Sequence, residues 1–302
     1  MLRCLGLALL ASASLVSCAP ETTAAKPAVA VTYGILGSIV SDLVGPAIAV
    51  KVILPNGADV HEWEPSPKDI ETLQHAAIIV RNGLDLEGGF AKALDQAAAA
   101  GVPTFTASDH IAVRTVKPGQ GLPDDDPDQQ AGAKDPHLWM DPLRMKAVEL
   151  ALADELKTRL HLDVSARAAD LAGRLDALDA RIKTKVASLP AEKRKLVTGH
   201  ESLGYYAEAY GLTLVGAIVP SLTDQAEVSA ADMSALKKTI QNTRIGVIFT
   251  ELGTPPKVAQ VLGTELHLKV VEITTHTLPE GGSYFTFLTG LTDTIVGALQ
   301  AE

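Results

Sequence analysis

Residues 29–57 read VAVTYGILGSIVSDLVGPAIAVKVILPNG, and this stretch decides the fold class. Val29 to Tyr33 is an apolar, β-prone run, and Ile35 to Val44 has helical apolar spacing. Ala47 to Leu54 is a second strand, closed by the turn Pro55-Asn56-Gly57. Strand, helix and strand in that order indicate a parallel sheet with helices on its faces.

The alternation continues outward from there. Pro67 to His75 reads as a helix, Ala76 to Val80 as a buried strand, Phe90 to Ala100 as a helix and Val102 to Thr106 as a strand. Residues 117–134 break the pattern with Pro, Gly, Gln and the acids Asp124, Asp125, Asp126 and Asp128, which read as a mobile, solvated surface loop. Residues 143–162 and 164–188 are helical, with Asp163 placed to cap the second part and Leu171, Leu175, Leu178 and Ile182 on one face. About 25 residues of helix measure roughly 37 Å, enough to run along two domains. After Pro190 the alternation resumes. Strands are expected at Lys195 to Thr198, Leu212 to Val219, Ile245 to Thr250 and Leu268 to Ile273. Helices are expected at Ser202 to Tyr210, Ala230 to Gln241, Pro255 to Leu262 and Ser283 to Leu299. The expected organisation is an α/β lobe over 29–142, a connecting helix over 143–189 and a second α/β lobe over 190–302, each lobe a parallel sheet of about four strands with flanking helices.

Composition narrows the function. Hydrophobic residues are 47% of the 302, enough for a sizeable core, while aromatics are only 4%, which suits α/β layers. The net charge of −10 argues against nucleic acid as a partner and is compatible with a cation as ligand. Arg3, the apolar run Leu5 to Val16 and the ending Leu15-Val16-Ser17-Cys18 read as a signal peptide over 1–17 with a lipobox. Cys18 is then lipidated, and residues 18–28 form a tether to the membrane. Cys4 is removed with the signal, so the mature fold has no free thiol, and a transition metal must be held by nitrogen and oxygen.

Four histidines stand in comparable places. His61 follows the strand ending at Leu54, His200 follows Thr198, His276 follows Ile273, and His137 closes the acidic loop within DPHLWMDP, residues 135–142. In open parallel sheets, ligands bind beyond the carboxyl ends of the strands. Two histidines come from each half, so their common point is the cleft between the halves. Four neutral imidazoles satisfy the tetrahedral preference of Zn²⁺, whereas calcium or magnesium would call for more carboxylates. His75, His110, His161 and His267 carry no such pattern. A ligating imidazole donates its other N–H to a carboxylate or carbonyl, and Asp59, Asp141 and Glu251 are the candidates for that role. Tyr205, Tyr206 and Trp139 read as packing residues.

The motifs GADVHEWEPSPKDI with RNGLDLE after it, DPHLWMDP, TGHESLGYYAEAYGL, IGVIFTE and GGSYFTFLTGLTDTI together resemble the zinc/manganese-type (cluster A-I) metal-binding lipoproteins, the solute-binding proteins of metal ABC importers. The resemblance runs from VTYGILGSIVSDLVG to the last helix. It implies two lobes joined by a long backbone helix with the metal buried between them. It also implies that His61 and His137 are the ligands of the first lobe. His200 matches the third ligand, which is histidine in zinc-type members and often glutamate in manganese-type ones. The fourth ligand of the family is usually aspartate. Here that position holds His276, so either His276 completes an all-histidine shell, or Glu280 or water does.

The resulting expectation is an extracytoplasmic, lipid-anchored, monomeric protein of periplasm or cell surface that captures Zn²⁺ and delivers it to an ABC permease. The alternatives are Mn²⁺ or Fe²⁺ as cargo or, in a different class, a secreted zinc hydrolase with Glu62 as base. The chain lacks the HExxH spacing of one such class, and a fourth histidine would close the water position a hydrolase needs. A shell of four imidazoles is also expected to be more pH-sensitive than one rich in carboxylates, because each ring must be deprotonated to bind.

Overall fold

The computed structural model describes residues 28–116, 132–223 and 228–301. The signal segment, Cys18 and the four acids of the 117–134 loop lie outside the described residues. Among the described residues no helix is long and apolar enough to cross a membrane.

The protein is α/β with two lobes. The first lobe is a four-stranded parallel sheet in the order β2-β1-β3-β4, with β1 Ala28–Val31, β2 Ala49–Val52, β3 Ile78–Arg81 and β4 Thr104–Thr106. Helices α1 Gly34–Val44, α2 Pro67–Gln74 and α3 Ala91–Ala99 make the crossovers. The interior strands β1 and β3 are nearly continuous apolar runs because both their faces are covered, whereas edge strand β2 is largely exposed. The sheet order reverses direction between β1 and β3, which opens a crevice at their carboxyl ends.

The helical region expected over 143–189 divides beside Asp163, the residue placed to cap its second part. α4 spans Pro142–Leu160 and α5 spans Ser165–Ala187, and they pack on each other as a hairpin. The break is local chemistry: His161 ends α4 in the left-handed conformation at φ 53°, and Asp163 Oδ1 accepts from the Ser165 N–H at the start of α5. The connecting role belongs to α5, roughly 34 Å long at 1.5 Å per residue. Its buried stripe of Leu171, Leu175, Leu178 and Ile182 packs against α1 on one side and the second lobe's helices α6 (Gly204–Tyr210) and α9 (Tyr284–Gln300) on the other.

The second lobe has four strands arranged as two parallel ladders. β5 Lys195–Thr198 pairs with β6 Thr213–Ala217, and β7 Val247–Thr250 pairs with β8 Lys269–Glu272. β5 and β7 lie side by side, and α7 Ala230–Thr243 and α8 Pro256–Leu266 cover this lobe. A register irregularity between Leu196 and Val197 interrupts the first ladder. The last helix, α9, returns to pack on α1 as well as α5, so the end of the chain is built into the core of its beginning.

Candidate metal centre

Each of the four histidines leaves a strand or loop end towards one point. His61 sits in the loop after β2, where Asp59 Oδ1 accepts from the His61 backbone N–H at 2.8 Å. His137 sits above the crevice between β1 and β3, where Asn82 Nδ2–H donates to the Pro136 carbonyl at 2.8 Å. His200 follows β5 and His276 follows β8. The six ring-centroid separations among them lie between 5.1 and 5.8 Å. One nitrogen from each ring falls within 4.8 Å of the others, and all four residues are buried.

The outer hydrogen bonds decide which nitrogen faces inward. Asp135 Oδ1 accepts from His137 Nδ1–H at 2.9 Å and from the His137 backbone N–H at 2.9 Å. Arg114 donates to the other oxygen, Oδ2, at 2.9 Å. On the opposite side, Glu251 Oε1 lies 3.3 Å from His200 Nδ1 and accepts from the His200 backbone N–H at 3.1 Å. The Thr275 hydroxyl donates to Glu251 Oε2 and accepts from His276 Nδ1–H at 2.8 Å. A carboxylate can only accept, so these contacts place hydrogen on Nδ1 and leave Nε2 as the lone-pair atom. His137 Nε2 and His200 Nε2 then meet at 3.3 Å, acceptor against acceptor. That spacing favours a cation or a proton between them. A tetrahedral zinc with bonds of 2.0–2.1 Å has nitrogen–nitrogen edges of about 3.3–3.4 Å, so this edge already has the right length.

Two glycines let the supports approach this closely. A Cβ at Gly199 would stand 2.0 Å from Thr254 Oγ1 and 2.9 Å from Glu251 Cγ. A Cβ at Gly204 would stand 2.3 Å from Asp135 Oδ2 and 2.4 Å from Arg114 Nη1. Both belong to the stretch TGHESLGYY, so its spacing reflects packing around the carboxylates as well as the ligand.

Burial sets the protonation. It is the largest cause lowering His61 to about 4, with His200 next. His137 and His276 are held well below 6.5 by burial and then by the neighbouring imidazoles. Burial pushes Asp135 up to about 6 against the pull of Arg114, and pushes Glu201 up to about 7. For Glu251 burial alone would raise the carboxyl, but His200, His276 and Thr275 outweigh it and hold it well below the usual range. Burial thus favours the uncharged, lone-pair form of the His61, His137 and His276 rings.

The other sequence candidates are placed as follows. Glu251 touches the His200 ring and Asp59 fixes the His61 backbone. Asp141 instead caps α4 through the Leu143 N–H at 2.8 Å and faces Arg144 at 3.6 Å. Glu280 and Glu62 are exposed, and Glu280 is outside the cluster of four rings. His75 bonds its own helix, His110 stacks on Phe105, and His161 and His267 end helices in the left-handed conformation. Trp139 is buried against His137 and His276, and its Nε1–H donates to Thr275 O at 2.9 Å. Asp135 and Arg114 escaped the sequence reading. The one signal was the Asp-Pro-His start of DPHLWMDP, a spacing that lets an aspartate accept from the backbone two residues on. Arg114 reaches Asp135 because the base of the 117–134 loop is zipped: Asp135 N–H donates to Arg114 O at 3.0 Å and Val116 N–H to Ala133 O at 2.9 Å.

Known proteins resemble this chain over most of its length. Residues 29–298 match the family described as zinc-uptake complex component A, periplasmic. The zinc-binding protein TroA of Treponema pallidum is 29% identical over 290 residues, covering 91% of this chain and 89% of its own. Its solved structure superposes with a TM-score of 0.78 at 27% identity, over 91% of this chain and 99% of that one. The iron-binding protein YfeA of Yersinia pestis is 28% identical, covering 85% and 79%, and the manganese ABC transporter substrate-binding lipoprotein PsaA of Streptococcus anginosus is 25% identical, covering 95% of each. These relatives are named for three different metals.

Proposed function

The chain belongs to the family of periplasmic zinc-uptake complex component A proteins, and we propose that it captures Zn²⁺ between its lobes and delivers it to the permease of an ABC importer. His61, His137, His200 and His276 are the proposed ligands. The observation that carries this reading is the meeting of four buried imidazoles with the Nε2 lone pairs of His137 and His200 3.3 Å apart. Asp135 and Glu251, one from each half, supply negative charge one imidazole away from a divalent ion. The function is capture and release, with no bond made or broken in the cargo. Residues 29–142 and 190–302 are the proposed lobes. Residues 1–17 are the proposed signal, and Cys18 is the lipidated residue that holds a monomeric protein to the membrane outside the cytoplasm.

Zinc is preferred to Mn²⁺ or Fe²⁺ because all four donors are imidazole nitrogens and no carboxylate stands among them. Relatives named for manganese and iron keep those cargoes as the second reading. Competition decides it. The zinc-loaded chain should retain its ion against a large excess of Mn²⁺ or Fe²⁺, and displacement by either would reassign the cargo. Mass analysis of the mature N-terminus should find a diacylglyceryl group on Cys18.

A further inference from the structure

The loops that carry His61 and His276 are 222 residues apart between Asn56 and Leu278, yet one side chain joins them directly. Asn56 Nδ2–H donates to the Leu278 carbonyl at 2.9 Å, and Asn56 Oδ1 accepts from the Leu278 N–H at 3.0 Å. A carboxamide offers a donor and an acceptor side by side, so it pairs with a backbone peptide in the way a neighbouring strand would. We propose that Asn56 is a positioning residue whose side chain clasps the loop of His276 to the loop of His61, and that opening this clasp sets the rate at which a bound cation leaves.

Three observations lead there. The first is position. His276 lies between two attachments, the Trp139 bond to Thr275 O on one side and the clasp to Leu278 on the other. The second is exposure. The Trp139 bond, and the bond from Tyr284 O–H to Trp139 O at 2.8 Å, are buried, whereas both clasp bonds are exposed to water. Water competes for exposed bonds, so the clasp opens at a smaller cost than the buried ties. The third is what lies beside it. Asn56 and Leu278 line one cavity of about 610 Å³. Their neighbours Gly57 and Thr277 line a second, of about 660 Å³, whose wall includes His276, Glu251 and Glu272. The clasp therefore stands as a bar between two open spaces, one of which reaches a proposed ligand. His276, at 7% exposure, lines that space, while His137 and His200 are at 0%.

This inference rests on the capture reading above and is tested separately from it. The full chain is loaded with one Zn²⁺, and release to an excess of a chelating dye is followed by stopped-flow absorbance. Asn56→Ala should release zinc roughly tenfold faster, the loss of two exposed hydrogen bonds. Asn56→Asp keeps an acceptor for the Leu278 N–H and loses the donor to Leu278 O, so its release should lie between the two. Ser38→Ala serves as the control. It removes the bond from the Tyr284 N–H at 2.9 Å, which joins the halves without touching either loop, and it should release zinc at the parent rate. Release from Asn56→Ala within about twofold of the parent, or equal acceleration by Ser38→Ala, overturns the clasp. If Asn56→Ala does not fold, Asn56→Asp is judged by the same criterion. A parent chain that takes up no zinc would instead overturn the capture reading, and the clasp with it.

Discussion

The two halves of the molecule support their histidines in different ways. In the first half, His61 and His137 stand on a four-stranded sheet whose core is continuous with α4, α5 and α9, and each has its own aspartate, Asp59 and Asp135. In the second half, His200 and His276 stand on two short ladders that join the large core on one face, through Leu196, Val247 and Phe249, and cover a small core on the other, including Val197, Ile240, Ile248 and Leu262. Both of those histidines refer to one carboxylate, Glu251, which reaches His200 directly and His276 through Thr275. The first half distributes its orienting groups within a large core, and the second concentrates them on a single residue. A concentrated support is the more vulnerable one, because one change loosens two ligands.

The largest expected effect follows from that contrast. Glu251→Gln should lower zinc affinity by about 100-fold, the upper end of what partners of ligands contribute. Fluorescence competition would read it, and a loss of tenfold or less would mean that Thr275 holds His276 without the carboxylate. Asp135→Asn should cost about tenfold in affinity, since it touches one ring. It should also lower the melting temperature of the metal-free chain, because it removes the buried carboxylate partner of Arg114. An unchanged melting temperature would show that Glu208, 3.8 Å from Arg114 Nε, suffices.

The pH dependence is the third comparison. The unfolded His61 takes up a proton near 6.5 and the folded one only at about 4. Its contribution to stability is therefore intact above 6.5 and lost as pH falls towards about 4. In the folded chain His61 stays deprotonated down to about 4, and burial likewise holds the rings of His137 and His276 well below the ordinary imidazole range. Asp135, at about 6 without metal, is different, because a divalent ion one imidazole away favours its ionised form. Zinc binding below pH 6 should release a proton from Asp135, and affinity should fall by at most about tenfold per pH unit below about 6 on its account. A slope of several protons beginning near 6.5 would mean that the rings titrate as free imidazoles. The smallest effect probes the cores themselves. Ile248→Val in the small core should cost about 0.5–1.5 kcal/mol by denaturant unfolding and leave zinc affinity unchanged. A fall in affinity would show that the ladders transmit strain to the rings.

Much of this architecture was legible beforehand. Strand–helix alternation marks every strand and α-helix described here, because buried parallel strands are apolar runs and their helices carry one apolar face. The four histidines were legible from their shared place beyond strand ends. What escaped depends on contacts distant in sequence or on single backbone conformations. Asp163 marks the division of α4 from α5 in the sequence, but not that the left-handed His161 folds them back as a hairpin. The split of the second sheet depends on which strands complete their ladders. Asp135 reads as an ordinary turn residue until Arg114 and Gly204 close around it. The pairing of Asn56 with Leu278 spans most of the chain.

Calorimetric titration of Zn²⁺ into the metal-free chain and its His276→Ala variant tests the central claim most directly. The account predicts one zinc per chain for the parent and a loss of affinity of about 100-fold or more in a variant that remains folded, since a ligand should matter at least as much as the groups that orient it. Equal, stoichiometric binding by the variant would contradict a four-histidine centre and pass the fourth position to a carboxylate or water.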